Sequence, residues 1–74
     1  MVFPMIDSVK TGANIKAKSK AKGYSAENLK DALGMGDKSN VYKWFRGESL
    51  PGLDNMIALS VLLGVTVTDL VVTV

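Results

Sequence analysis

Residues 25 to 47 read Ser25-Ala26-Glu27-Asn28-Leu29-Lys30-Asp31-Ala32-Leu33-Gly34-Met35-Gly36-Asp37-Lys38-Ser39-Asn40-Val41-Tyr42-Lys43-Trp44-Phe45-Arg46-Gly47. Ser25 suits an N-cap, because its hydroxyl can accept from an amide of the first turn, and Glu27 sits where the helix dipole favours an anion. A helix is expected over Ala26 to Leu33, with Gly34 at its exit. Asp37 caps a second helix, Lys38 to Phe45, in the same manner, and Gly47 stops it. Gly34-Met35-Gly36 leaves room only for a tight turn between the two.

Working outward, Leu53 to Leu63 follows Pro51-Gly52 as an apolar helix in which Leu53, Met56, Ile57 and Leu63 can share a buried stripe, and Gly64 ends it. Thr66 with Asp69 three residues on forms a capping-box pattern that opens a last short helix, Val67 to about Val72. Upstream, residues 13 to 22 alternate Lys with small residues in a period-two pattern that formally resembles a strand. Ala and Lys favour helix, and Gly23 supplies a C-terminal stop, so helix is the better reading. The expectation is an all-α chain of five short helices forming one domain over residues 1–74. Segments of about 50 to 200 residues build single cores, and 74 residues leave nothing to divide.

Composition removes whole classes of chemistry. The chain has neither cysteine nor histidine, which excludes disulfides, thiolate nucleophiles, imidazole bases and most zinc or haem sites. Gly34-Met35-Gly36 is too brief for a phosphate-binding loop, and the scattered carboxylates show no pairing suited to acid–base work. No enzyme activity, cofactor, metal or effector pocket is expected. No apolar run approaches the roughly 18 residues of a membrane span, and the disulfide-free composition points to the cytoplasm. The net charge of +2 is polarised: +4 over residues 1 to 22, +1 over 23 to 46 and −3 over 47 to 74. Such asymmetry suits either a polyanionic partner for the first two-thirds or an ordinary solvated helix face, and charge alone does not favour the first.

Several stretches in order carry a resemblance: Lys22-Gly23-Tyr24-Ser25, Leu33-Gly34, Val41 to Gly47, Ser49-Leu50-Pro51-Gly52-Leu53-Asp54-Asn55, and Leu63 to Leu70. From Gly12 to Val72 the chain resembles the Xre/Cro family of phage-repressor-like helix-turn-helix domains. The resemblance implies a lambda-repressor-like fold whose third helix enters the DNA major groove. It implies sequence-specific binding of double-stranded DNA and transcriptional regulation, as a repressor, in a bacterium or phage. There are departures from the family pattern. Ala26 stands where a phosphate-touching glutamine is common, and Lys30 stands where a small alanine packs between the motif helices. The turn is one residue longer than the commonest form, and Ser19 and Phe45 replace an arginine–acid pair.

At 100° per residue, Val41, Trp44 and Phe45 fall on one side of the third helix, while Ser39, Tyr42, Lys43 and Arg46 fall on the other. The first set is expected in the core. Lys38, Ser39, Tyr42 and Lys43 are the candidate base contacts, and Arg46 is a candidate phosphate contact. Helix N-termini offer further phosphate sites, at Ser25 and Ala26 and at Gly52 and Leu53. The lysines at 10, 16, 18, 20 and 22 cannot all face one way and form a diffuse cationic rim. A helical module that binds a partner protein instead of DNA is the alternative function. At the ends, Val2, Phe3, Met5 and Ile6 and Val71, Val72 and Val74 are apolar. Segments 1–6 and 71–74 are expected either to pack together as a short antiparallel pair that helps form a homodimer, with Pro4 confining the first segment to an edge, or to fray on a monomer that dimerises only on DNA.

Overall fold

The computed structural model describes residues 5–74, in which five helices follow one another: α1 (Ser8–Ala21), α2 (Ala26–Ala32), α3 (Ser39–Arg46), α4 (Leu53–Leu63) and α5 (Val67–Leu70). The expectations for Val2, Phe3 and Pro4 lie outside the described residues. The all-α reading holds over the described chain. Helix α1 packs against α3 and α5, α2 packs on α3, and α4 packs on α5. Ile15, Leu29, Val41, Trp44, Leu59, Leu63 and Leu70 meet in one core, with Ala26 and Met56 completing it.

Helix α1 begins five residues before the expected stretch. Asp7 is its N-cap, accepting from the Lys10 amide at 2.9 Å, and the helix runs straight through Gly12. In sequence Gly12 reads as a break; in the fold it is a contact. A Cβ built on Gly12 would lie 1.9 Å from the Trp44 carbonyl oxygen, so only a glycine lets α1 lie this close to the α3 backbone. A second close approach lies one turn away on α1. A Cβ on Gly47, whose φ is +77°, would meet the Val9 Cα at 2.6 Å.

The motif helices are nearly as expected. Ser25 caps α2 through a reciprocal box with Asn28: the Asn28 amide donates to the Ser25 hydroxyl, and the Ser25 amide donates to Asn28 Oδ1. The α3 assignment shifts by one residue. Lys38 occupies the N-cap without a side-chain bond, and Asp37 Oδ1 accepts from both the amide and the hydroxyl of Ser39. Val41 and Trp44 are buried as expected, while Phe45 is half-buried.

Two expectations downstream are corrected. Helix α4 has the expected bounds, but it turns Met56, Leu59, Ser60 and Leu63 inward. Leu53 (75% exposed) and Ile57 (49%) therefore stand outside the core. The inward set repeats at i, i+3, i+4 and i+7, and so presents a better face than the expected one. Helix α5 ends at Leu70 instead of Val72, because Val71 turns extended (φ −84°, ψ 129°). The Thr66–Asp69 box at its start is present as expected. The extended chain then pairs with the N-terminal segment, as anticipated: Ile6 and Thr73 form an antiparallel bridge, the Asp7 amide donates to the Val72 carbonyl, and the Val74 amide donates to the Met5 carbonyl. Two α1 side chains hold this seam. Buried Thr11 donates to the Val72 carbonyl (3.2 Å) and accepts from the Val72 amide (2.9 Å). Asn14 donates to the Asp69 and Leu70 carbonyls, which a four-residue helix leaves open.

Replacing Gly12 with Ala forces α1 and α3 apart, and overpacking against rigid backbone costs about 2 to 3 kcal/mol or more. Chemical denaturation should show a midpoint well below that of the parent, whereas Ala17→Gly, at an exposed position of the same helix, should lose only about 1 kcal/mol. An unchanged midpoint for Gly12→Ala contradicts the contact.

Candidate nucleic-acid interface

Helix α3 divides cleanly. Its inner face is fixed by Val41 and Trp44, and its outer face presents Ser39, Tyr42, Lys43 and Arg46, all exposed, with Lys38 exposed at its start. All five sequence-predicted α3 residues therefore share one accessible surface. Their states differ. Lys43 has no ion-pair partner among the described residues, whereas the Arg46 side chain is hydrogen-bonded to Glu48 two residues on. Tyr42 meets the Phe45 ring edge to face, with centroids 6.4 Å apart, and this fixes the phenol on the outer surface. The Ser39 hydroxyl donates to Asp37.

Lys38 is tied to the preceding helix. Glu27 of α2 reaches Lys30 Nζ through Oε1 (2.9 Å) and Lys38 Nζ through Oε2 (3.5 Å), and Lys30 also meets Asp31 at 3.2 Å. The Lys30 stem thus runs to the surface and ends in a carboxylate clamp, which answers how a lysine is housed where a small residue is usual. The clamp joins α2 to the start of α3 across the six-residue link, residues 33–38. The Lys30 ammonium holds the Glu27 carboxyl below its ordinary range, and Glu27 in turn raises Lys30. The Ser39 amide lowers Asp37, and the Thr66 amide lowers Asp69.

The predicted phosphate sites separate into two places. Ser25, Ala26 and Arg46 line one cavity with Tyr42. Gly52 and Leu53, both exposed at the start of α4, do not belong to that cavity. Ala26 is itself buried, so only its backbone could serve, and the Ser25 amide and hydroxyl both donate to Asn28. Lys16 and Lys20, expected only as part of a diffuse rim, and Tyr24, given no site role from the sequence, line the same cavity. The signal was there in part. Taking every second lysine of the alternating run gives the i, i+4 pair Lys16 and Lys20 on one helix face. Among the described residues, no group of acids could hold a metal ion, and no helix is long and apolar enough to cross a membrane.

Comparisons with known proteins agree with the fold. A family model described as helix-turn-helix matches residues 15–70. Among solved structures, the chain is similar to the restriction-modification controller protein C.AhdI from Aeromonas hydrophila, with 33% identity, a TM-score of 0.77, and 86% of this chain and 96% of that chain covered. It is also similar to SinR, the master regulator for biofilm formation, solved in complex with DNA, with 32% identity, a TM-score of 0.70, and 80% and 97% covered. No curated protein matches the chain.

The lowered carboxyls make stability depend on acid. In the unfolded chain Glu27, Asp37 and Asp69 take up protons at their ordinary values, before the folded chain does. Their contribution is therefore complete above that range and is lost as pH falls from about 5 toward 2. Melting followed by circular dichroism across this window should show a falling midpoint. Asp69→Asn, which keeps an acceptor but cannot titrate, should flatten the fall, and an equally steep fall in that variant contradicts the cap's part in it.

Proposed function

The chain belongs to the Xre/Cro-like helix-turn-helix family, and from that membership we propose that it binds duplex DNA sequence-specifically and represses transcription by occupying an operator, in the cytoplasm of a bacterium or phage-infected cell. The observation that carries this reading is the division of α3. Its inner face is locked by Val41 and Trp44, while Ser39, Tyr42, Lys43 and Arg46 stand in one exposed row. A helix of this width fits the major groove, where hydroxyl, phenol and ammonium groups meet base edges. In this reading Lys38, Ser39, Tyr42 and Lys43 contact bases. Arg46 leaves Glu48 for a phosphate, and backbone amides at the starts of α2 and α4 take further phosphates. Lys16 and Lys20 add cationic reach beside α2. The restriction-modification controller and the DNA-bound biofilm regulator support the regulatory role, and no catalytic step is assigned to this surface.

Homodimerisation belongs to the same proposal. Leu53, Ile57 and Val61 stand exposed at i, i+4 and i+8 on α4, and Val74 is exposed on the extended segment, beside the paired ends. Burying these patches against a second copy would present two α3 helices to half-sites about one DNA turn apart.

Binding to a preferred duplex, selected from a random pool, is expected to weaken by about 1 to 3 kcal/mol in Lys43→Ala with relaxed choice at one base pair, while Arg46→Ala weakens all sequences about equally. Affinity should also fall steeply with salt, whereas an apolar protein-binding module would be nearly insensitive to it. If neither variant changes the titration, α3 is not the reader. For the dimer, sedimentation at micromolar concentration should show a two-chain species that Val61→Glu dissociates; a strictly monomeric parent removes that part of the proposal.

A further inference from the structure

Between α1, the start of α2 and the outer side of α3 lies a cavity of about 280 Å³. Lys16 and Lys20, one turn apart on α1, and Arg46 on α3 supply its cations, while Tyr24, Tyr42 and Phe45 supply aromatic walls. We infer that this cavity binds a small single-ring aromatic anion, and that its occupant competes with DNA for the α3 surface.

Neither Lys16 nor Lys20 has a carboxylate within ion-pair distance among the described residues, so the two lysines that line the cavity are uncompensated. Arg46 brings a third cation, and its partner Glu48 is exposed and easily exchanged for a better acceptor. A phosphate alone is satisfied by cations on an open surface and has no use for an apolar recess. Tyr42 and Phe45 stand at 86° to each other and form a fixed corner against which a flat ring can bury its edge and face. Size narrows the class further. The volume lies just below the roughly 300 to 1,000 Å³ of small-molecule sites, which leaves room for one ring and its acidic group and for little more.

Competition follows because Tyr42 and Arg46 belong both to the cavity and to the row assigned to DNA, and this half of the inference rests on the proposed function. The sugar–phosphate backbone of a duplex offers the same cations an anion without an aromatic ring, so the probes must separate charge from ring.

The test titrates the ¹⁵N-labelled chain, at constant ionic strength, with phenyl phosphate, inorganic phosphate and benzyl alcohol. Phenyl phosphate should give saturable amide shifts at Tyr24, Tyr42 and Phe45, with binding about tenfold or more tighter than either control, as burial of a ring predicts. Lys20→Gln, at an exposed position that leaves the fold intact, should weaken phenyl phosphate about twofold to fivefold. Inorganic phosphate binding as tightly as phenyl phosphate overturns the aromatic assignment, and the absence of saturable shifts overturns the site. Phenyl phosphate should also raise the DNA concentration needed for half-saturation. If phenyl phosphate binds but leaves DNA binding unchanged, the competition is overturned while both sites stand. If it binds a chain that has no affinity for any duplex, the proposed function falls and the cavity remains.

Discussion

At Gly12 the backbone of α1 lies against the carbonyl of Trp44, and nothing larger than a hydrogen fits between them. That approach fixes the position of α3 along and around α1. Once it is set, the Trp44 indole has one way to turn, into the core beside Val41 and Ile15, and the opposite side of α3 is left to solvent. The exposed row of Ser39, Tyr42, Lys43 and Arg46 is therefore a by-product of a packing constraint on the far side of the helix. The second approach, of Gly47 to Val9, fixes the α3 terminus on the same helix. With both ends of the contact made by backbone, little side-chain rearrangement is available to reorient the outer face.

Much of this was legible in the sequence, and the failures have distinct physical causes. Ser25, Thr66, Gly34 and Gly47 act through neighbours three or four residues away, so their roles could be read locally. Gly12 could not be read that way, since glycine as a stop and glycine as a contact look alike until the partner is known; Gly23 ends a helix and Gly12 sits inside the same one. The apolar face of α4 was ambiguous for a different reason. Leu53, Ile57 and Val61 repeat at helical spacing as well as Met56, Leu59 and Leu63 do, and only the position of α5 decides which set is covered. Thr11 and Asn14 were invisible altogether, because their partners are 55 to 61 residues away. Of the surface chemistry, the α3 row followed from a helical wheel. The convergence of Lys16 and Lys20 with Arg46 required the crossing of two helices.

The charged groups around the motif do structural and surface work at once. Glu27 spans Lys30 and Lys38, so one carboxylate ties α2 to the opening of α3 while drawing two ammonium groups toward itself. Lys43, on the next turn of the outer face, has no such tie among the described residues. The surface is thus graded from a held cation at one end of α3 to an unpaired one in its middle. The acidic balance of residues 47 to 74 belongs to α4, α5 and their connections and adds no positive charge there.

The seam between residues 5–7 and 71–74 joins the most distant parts of the described chain, with Thr11 bridging to Val72 across 61 positions. Closing so long a loop carries an entropic penalty that α2 and α3, adjacent in sequence, do not face. The motif is built from contacts close in sequence, whereas the seam requires the two ends of the described chain to meet. The seam and the Gly12–Trp44 contact share no residue, so loss of the seam removes none of the backbone packing that orients the outer face of α3.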